Sequence, residues 1–125
     1  MTVLDTSALI ALLFAERGAE KVESVMREAA LSTVNYCETL AVMTRLGRDV
    51  GRLRQGLLIS GLSIVPFEAR HAEVTAELER QTRSHGLSLG DRACLALGIL
   101  RNETVLTADR PWADLALGVR VELIR

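Results

Sequence analysis

Four carboxylates occupy positions from which they can share one task. Asp5 directly follows the apolar run Thr2-Val3-Leu4, and Asp109 follows Thr104-Val105-Leu106-Thr107 by two residues. Glu38 lies in the second turn of a helical stretch, and Asp91 opens a strongly apolar helix. Each has an ordinary alternative. Asp5 and Asp109 could cap the helices that follow them, and Ser88-x-x-Asp91 fits a capping box, which by itself is worth about 1 kcal/mol of helix stability. Glu38 sits beside Val34, Cys37 and Val42, where an unpaired carboxylate is costly, and Arg45 is a local partner for it. That ion pair leaves the other three acids unexplained. Gathered at one rim, four acids repel and raise one another's pKa, a cost normally offset by a bound cation. Oxygen-only ligands with no histidine or cysteine among them select a hard ion, Mg2+ or Mn2+. Such an ion activates water and neutralises charge developing on phosphorus, with a second ion sometimes about 4 Å away. The chemistry implied is metal-dependent hydrolysis of phosphodiester bonds.

The elements that must position these acids follow from the apolar spacing. Thr2-Val3-Leu4 reads as a strand that feeds, through the cap-rich Asp5-Thr6-Ser7, into a helix over the run 8–15. Val22, Val25, Met26 and Ala29 mark an amphipathic helix over 19–29, and Ala30-Leu31-Ser32 a second strand. Thr33 then caps a helix to about Arg48, with Val34, Cys37, Ala41 and Val42 expected to face inward. A helix after Gly51 carries Leu53, Leu57 and Leu58, and a strand over 62–65 is closed by Pro66. A charged helix spans 68–84, and 91–101 is apolar enough to be covered on most sides. A strand at 104–107, a turn into a short helix at 108–112 and a closing strand at 119–124 complete the chain. Strands alternating with helices imply a parallel sheet covered on both faces, and in such folds ligands gather beyond the carboxyl ends of the strands.

Composition bounds the rest. A chain of 125 residues, 49% apolar and 25% charged with two prolines, is expected to fold as one domain over residues 1–125, without disorder or repeats. Lys21 is the only lysine against fourteen arginines, which argues against a lysine-dependent phosphate loop or Schiff base. Cys37 and Cys94 lie among apolar neighbours and read as buried thiols. With His71 and His85 they are too scattered for a zinc spacing. The longest apolar run, Ala8 to Ala15, is eight residues, far short of the roughly 20 that span a bilayer, and no basic segment precedes it. The expectation is a cytoplasmic protein with no signal peptide and no membrane association.

Four segments carry a family resemblance. Val3-Leu4-Asp5-Thr6-Ser7-Ala8-Leu9, Asn35-Tyr36-Cys37-Glu38, Leu87-Ser88-Leu89-Gly90-Asp91-Arg92-Ala93 and Leu106-Thr107-Ala108-Asp109-Arg110-Pro111-Trp112 resemble the four acidic motifs of PIN-domain proteins, in order and over nearly the whole chain. In its small size the chain is similar to the VapC toxins of bacterial toxin–antitoxin pairs. The resemblance implies a PIN-like three-layer α/β/α sandwich with a central parallel sheet. It also implies an Mg2+-dependent endoribonuclease, usually a homodimer, held inactive by a small VapB-like antitoxin. By the same resemblance Asp5, Glu38, Asp91 and Asp109 are the metal-binding, catalytic acids, and Thr107 and Ser7 are hydroxyls able to orient an acid or a water. Trp112 stands where many relatives have phenylalanine and keeps its packing role.

Rival functions are weighed on the same residues. Gly86-Leu87-Ser88-Leu89-Gly90 matches a hydrolase nucleophile elbow in letters, but no histidine follows it and helix, not strand, precedes it. An aspartyl-phosphate enzyme would carry a second acid two residues after Asp5, where Ser7 stands. A non-catalytic α/β binding module, its acids serving only as caps, and a PIN-domain RNA-processing nuclease that is not a toxin remain the alternatives. Arg45, Arg48, Arg52 and Arg54 cluster around the turn at 47–51, either as a solvated helix end or as an RNA or partner contact. Aromatic residues make up 3% of the chain and look mostly like core, so RNA would be held through phosphates and shape more than by stacking. The near-neutral balance, fifteen basic against sixteen acidic groups, at first argues against a nucleic-acid partner. With the four clustered acids set aside, twelve acids face fifteen basic groups and the remainder is +3. That suits an anionic substrate that approaches with the help of a metal.

Overall fold

In the computed structural model, which describes residues 1–125, five strands form one parallel sheet: β1 (Thr2–Leu4), β2 (Ala29–Ser32), β3 (Ser63–Val65), β4 (Thr104–Thr107) and β5 (Val121–Leu123). Their order is β3-β2-β1-β4-β5, with Val3 opposite Val105 and Leu4 opposite Leu106. Successive residues of the central strands are buried on alternate faces of the sheet. Leu4, Leu31 and Leu106 belong to one apolar cluster with Ala8, Leu9, Val22 and Leu57, whereas Val3, Ala30 and Val105 belong to another with Val74, Leu78, Cys94, Leu95 and Trp112. Both faces of the sheet are therefore covered, which is why these strands have no polar side. The architecture is the PIN-like α/β/α sandwich expected from the sequence.

The helices are α1 (Thr6–Leu13), α2 (Ala19–Glu23), α3 (Thr33–Arg45), α4 (Val50–Ser60), α5 (Ala69–Glu77), α6 (Glu79–Thr82) and α7 (Leu89–Arg101). The residues of α7 from Ala93 to Gly98 are all buried, so this helix is central, as its composition requires. Gly98 lets it approach the sheet, since a Cβ there would run into Val105 of β4. No helix is long and apolar enough to cross a membrane.

Three expectations need correction. The helix over 19–29 ends at Glu23, and a short 3-10 turn at Met26–Glu28 leads straight into β2 at Ala29. The helix over 68–84 breaks at Leu78 into α5, α6 and a 3-10 turn at Arg83–His85, with the Thr75 and Thr82 hydroxyls donating back to the His71 and Leu78 carbonyls, a contact that bends helices. In α3 the buried residues are Asn35, Thr39 and Met43, while Cys37 and Ala41 are exposed. This buried face packs against α1 and α7, not against an all-apolar core, so apolar spacing pointed to the wrong side.

The strand order reverses at β1. The chain runs outward through β2 and β3, then returns to place β4 on the other side of β1 and β5 beyond it. At such a switch point the connections leave in opposite directions and open a crevice beyond the carboxyl ends of β1 and β4.

Candidate active site

Asp5 is delivered to that crevice by β1 and is 3% exposed. It stands at the N-cap position of α1, yet its side chain caps nothing. The Ser7 hydroxyl donates to Asp5 Oδ2 at 2.6 Å and the Thr107 hydroxyl to the same oxygen at 2.9 Å. Both hydroxyls are fixed in turn by the backbone after β4: the N–H of Ala108 donates to Ser7 Oγ and that of Asp109 to Thr107 Oγ1, each at 3.0 Å. Burial pushes the Asp5 carboxyl up to about 6. The two hydroxyls pull it partly back, and the negative charge of Asp91 adds to the rise.

The other acids reach the same cleft by different routes. Glu38 projects from α3, with its Oε1 accepting from the Thr6 hydroxyl at 2.7 Å and from Asn35 Nδ2 at 3.1 Å. Its partners are neutral, not Arg45, which is exposed at the end of α3. Asp91, in the first turn of α7, completes the capping box: Ser88 N donates to Asp91 Oδ2 at 2.9 Å and Asp91 N to Ser88 Oγ at 3.2 Å. Asp109 opens the 3-10 turn Arg110–Asp114 without capping it. Capping thus accounts for Asp91 in part and for Asp5 and Asp109 not at all. Asp5, Glu38, Asp91 and Asp109 line one open cleft of about 400 Å³, together with Thr6, Ser7 and Arg125. Beneath it, burial pushes the Cys94 thiol up, and the charges of Asp5, Asp91 and Glu38 push in the same direction.

This donor set fits a hard cation in chemistry. All four acids offer oxygen, and in Asp5, Glu38 and Asp91 the side-chain hydrogen bonds fall on a single oxygen, so the second is not consumed by them. No three of the carboxylates form a ready-made cage among themselves. Charge points the same way. The cleft contains four acids and one arginine, and that arginine is engaged elsewhere, its Nη1 bonding Glu16 Oε1 at 3.2 Å and the Arg17 carbonyl at 3.0 Å.

The arginine group does not reach this cleft and is not one patch. Arg48 lies over the Phe14 ring at 5.1 Å and, with Arg52, edges an apolar groove of about 510 Å³ lined by Leu12, Phe14, Met26, Met43, Leu53 and Leu57. Arg54 lies on the other flank of α4 beside Tyr36, Leu58 and Ile64. Phe14 and Tyr36 are thus only half-buried, contrary to the expectation of mostly core aromatics, and Trp112 alone is sealed. No aromatic side chain lines the acid cleft.

Sequence reasoning missed Thr6, Asn35, Gly90 and Arg125. Asn35 and Gly90 stand inside the quoted motifs but carry no chemistry that spacing alone reveals. A Cβ on Gly90 would enter the Glu38 carboxylate, so this glycine makes room for the acid. Ser88 is the N-cap of α7 and follows a 3-10 turn, which disposes of the nucleophile elbow.

A five-stranded parallel sheet whose switch point presents four acids is the architecture of one class of protein. Residues 2–117 match the PIN domain family, and the chain belongs to it. Within that family it is 32% identical over 114 residues to ribonuclease VapC42 of Mycobacterium tuberculosis H37Rv, a match that covers 83% of this chain and 87% of the relative. The VapC ribonuclease Mb2780c of Mycobacterium bovis matches to the same extent. Among solved structures, a toxin–antitoxin complex from Klebsiella pneumoniae is similar with a TM-score of 0.81 at 22% identity, covering 100% of this chain and 98% of that one. At that identity the likeness speaks for the fold.

Proposed function

We propose that this chain is an Mg2+- or Mn2+-dependent endoribonuclease, the toxin of a VapBC-type toxin–antitoxin pair, with Asp5, Glu38, Asp91 and Asp109 as its metal-binding acids. The observation that carries this reading is the burial of Asp5 with no cationic partner, beside three further acids on one cleft, in a chain whose relatives are VapC ribonucleases. When bound, the metal supplies the charge that polarises a water and neutralises the phosphate under attack.

The chain's own residues prepare that event. Ser7 and Thr107 hold the plane of the Asp5 carboxylate through one oxygen, and Thr6 and Asn35 do the same for Glu38. Because all four donors are neutral, they orient the acids without cancelling the charge a cation needs. Asp91 is fixed by the first turn of α7, and Asp109, with no side-chain bond, is the acid best able to adjust. With no aromatic platform in the cleft, RNA is held through its phosphates and shape.

The partner surfaces are separate from the chemistry. The groove edged by Arg48 and Arg52 suits an amphipathic, acidic segment of a small VapB-like antitoxin. Leu58, 83% exposed on α4, and Ile64 on the edge strand β3 line one apolar surface that suits a homodimer.

The test uses the full chain and structured RNA with Mg2+, Mn2+ or a chelator. Cleavage is expected with either metal, none with chelator, and background levels for Asp5→Asn. Wild-type protein that shows neither metal-dependent cleavage nor a metal-dependent rise in melting temperature overturns the reading in favour of a binding module. Cleavage without growth arrest on expression favours an RNA-processing nuclease. Sequencing the RNA ends that accumulate on expression, against Asp5→Asn, identifies the substrate.

A further inference from the structure

Asn35 is 0% exposed, on the face of α3 that looks toward the cleft. Its Nδ2 lies 3.1 Å from Glu38 Oε1, 3.1 Å from Thr6 Oγ1 and 3.1 Å from the Gly90 carbonyl. The two N–H bonds of one amide thus face three acceptors, one of them shared: one on its own helix a turn away, one in the first turn of α1 and one in the first turn of α7. The Thr6 hydroxyl that accepts from Asn35 donates onward to Glu38 Oε1 at 2.7 Å, so the amide reaches the carboxylate both directly and through a relay.

The orientation of the amide is set by chemistry. Turned over, it would point Oδ1 at a carboxylate, a carbonyl and a hydroxyl already committed as a donor. In the orientation observed, Oδ1 is buried and has no hydrogen-bond partner. A buried oxygen without a donor costs stability, so an amide here is a poor choice for packing alone. Glu38 is confined by Gly90 as well, because the missing Cβ of that glycine is what leaves space for its carboxylate.

From this geometry we infer that Asn35 is a positioning residue, which holds the Glu38 carboxylate in the acid cleft and ties the three helix segments around it by neutral donors. The inference rests on the proposed metal-dependent ribonuclease activity and deepens it. An arginine in the same place would orient Glu38 equally well but would compete with a cation for its charge. An amide orients and leaves the charge intact. Groups that orient a metal ligand in this way typically account for a 10- to 100-fold factor in affinity or activity.

The experiment measures Mn2+ affinity by titration calorimetry, with kcat and KM on an RNA substrate, for wild type, Asn35→Leu, Glu38→Gln and the double variant. Asn35→Leu keeps the branching and heavy-atom count of the side chain and removes its donors. It is expected to weaken Mn2+ binding and lower kcat by about 10- to 100-fold each, with KM for RNA changed by less than about threefold. In the Glu38→Gln background the same substitution is expected to change Mn2+ affinity by less than about twofold, because its effect passes through Glu38. Wild-type affinity and kcat in Asn35→Leu overturn the inference, and so does an equal loss in both backgrounds, which would mark a general packing defect. Thr6→Val, at a half-buried position, covers the case in which Asn35→Leu does not fold. It is expected to weaken Mn2+ binding several-fold in the Glu38 background alone, and unchanged affinity overturns the relay and the inference with it. Wild type that neither binds Mn2+ nor cleaves RNA overturns the ribonuclease reading itself, an outcome distinct from active wild type with an indifferent Asn35→Leu.

Discussion

Asp5 carries an electrostatic cost set by its burial. Its carboxyl is raised from 3.8 to about 6, mainly because burial disfavours the charged form. Between those pH values the folded chain holds a proton that the unfolded chain has released, so stability falls as pH rises through the window and the full cost, on the order of 3 kcal/mol, is present above it. Asp5→Asn removes a charge and keeps the shape. In chelator, the variant is expected to melt higher than wild type at pH 7.5 and near the wild-type temperature at pH 4. A melting difference that is the same at every pH would show that the charge of Asp5 is not its source. Metal should offset the same cost: at a hundredfold above its Kd it is expected to add about 2.7 kcal/mol to the wild type and much less to Asp5→Asn. At this scale the sequence was informative about Asp5 and Asp109, since an acid directly after a strand is visible in one dimension. It was silent on Asn35 and Thr6, because their importance lies in which carboxylate they touch.

Among the elements, α3 is where one-dimensional reasoning misled. Its buried positions, Asn35, Thr39 and Met43, recur every four residues but two of the three are polar, so an apolar search selects the opposite stripe. They are polar because this helix packs against α1 and α7 at the site, where it meets hydroxyls, carbonyls and a carboxylate. The junction of α3 with α7 makes a sharp prediction. Alanine is the better helix former by up to about 1 kcal/mol, but a methyl on Gly90 displaces the Glu38 carboxylate. Gly90→Ala is therefore expected to lower RNA cleavage at least tenfold with a melting temperature near that of the wild type, as read by calorimetry and a cleavage assay. Undiminished cleavage would mean that Glu38 need not stay where it is. The split of the helix over 68–84 was illegible for a related reason: no proline or glycine marks it, and the threonine hydroxyls that bond back to carbonyls on either side of it do the same in the unbroken α3.

Across the whole molecule, charge and apolar surface are sorted onto different sides. The four acids face the switch-point cleft, while Arg48 and Arg52 edge the apolar groove between α1 and α4. Reversing both charges with Arg48→Glu and Arg52→Glu is expected to weaken binding of the proposed VapB-like antitoxin by 10-fold or more and to flatten its salt dependence, as measured by titration at two ionic strengths. Binding that is indifferent to the reversal would remove the groove from the interface. On the far flank of α4, Leu58→Glu with Ile64→Glu is expected to convert the proposed dimer to a monomer in sedimentation equilibrium, since exposed apolar side chains on α4 and the edge strand β3 are the surface with most to gain from a second copy. A dimer that survives both charges must use another face. The sequence grouped Arg45, Arg48, Arg52 and Arg54 because they are neighbours along the chain, but the helical turn sends Arg52 and Arg54 to opposite flanks.

The sequence by itself determined the layered parallel architecture, the central place of α7 and the position of Asp5 and Asp109 just past β1 and β4, because apolar period and the residues that follow a strand are local properties of the chain. Only the tertiary structure decided that Asp5 leans on Thr107 across 102 positions, that Glu38 is held by Asn35 and Thr6 instead of Arg45, that Gly90 yields it space, and that Arg125 lines the same cleft. The physical reason is the strand order. It reverses at β1, and the reversal brings the start of α1, the middle of α3, the start of α7 and the end of β4 to one point that no stretch of sequence contains.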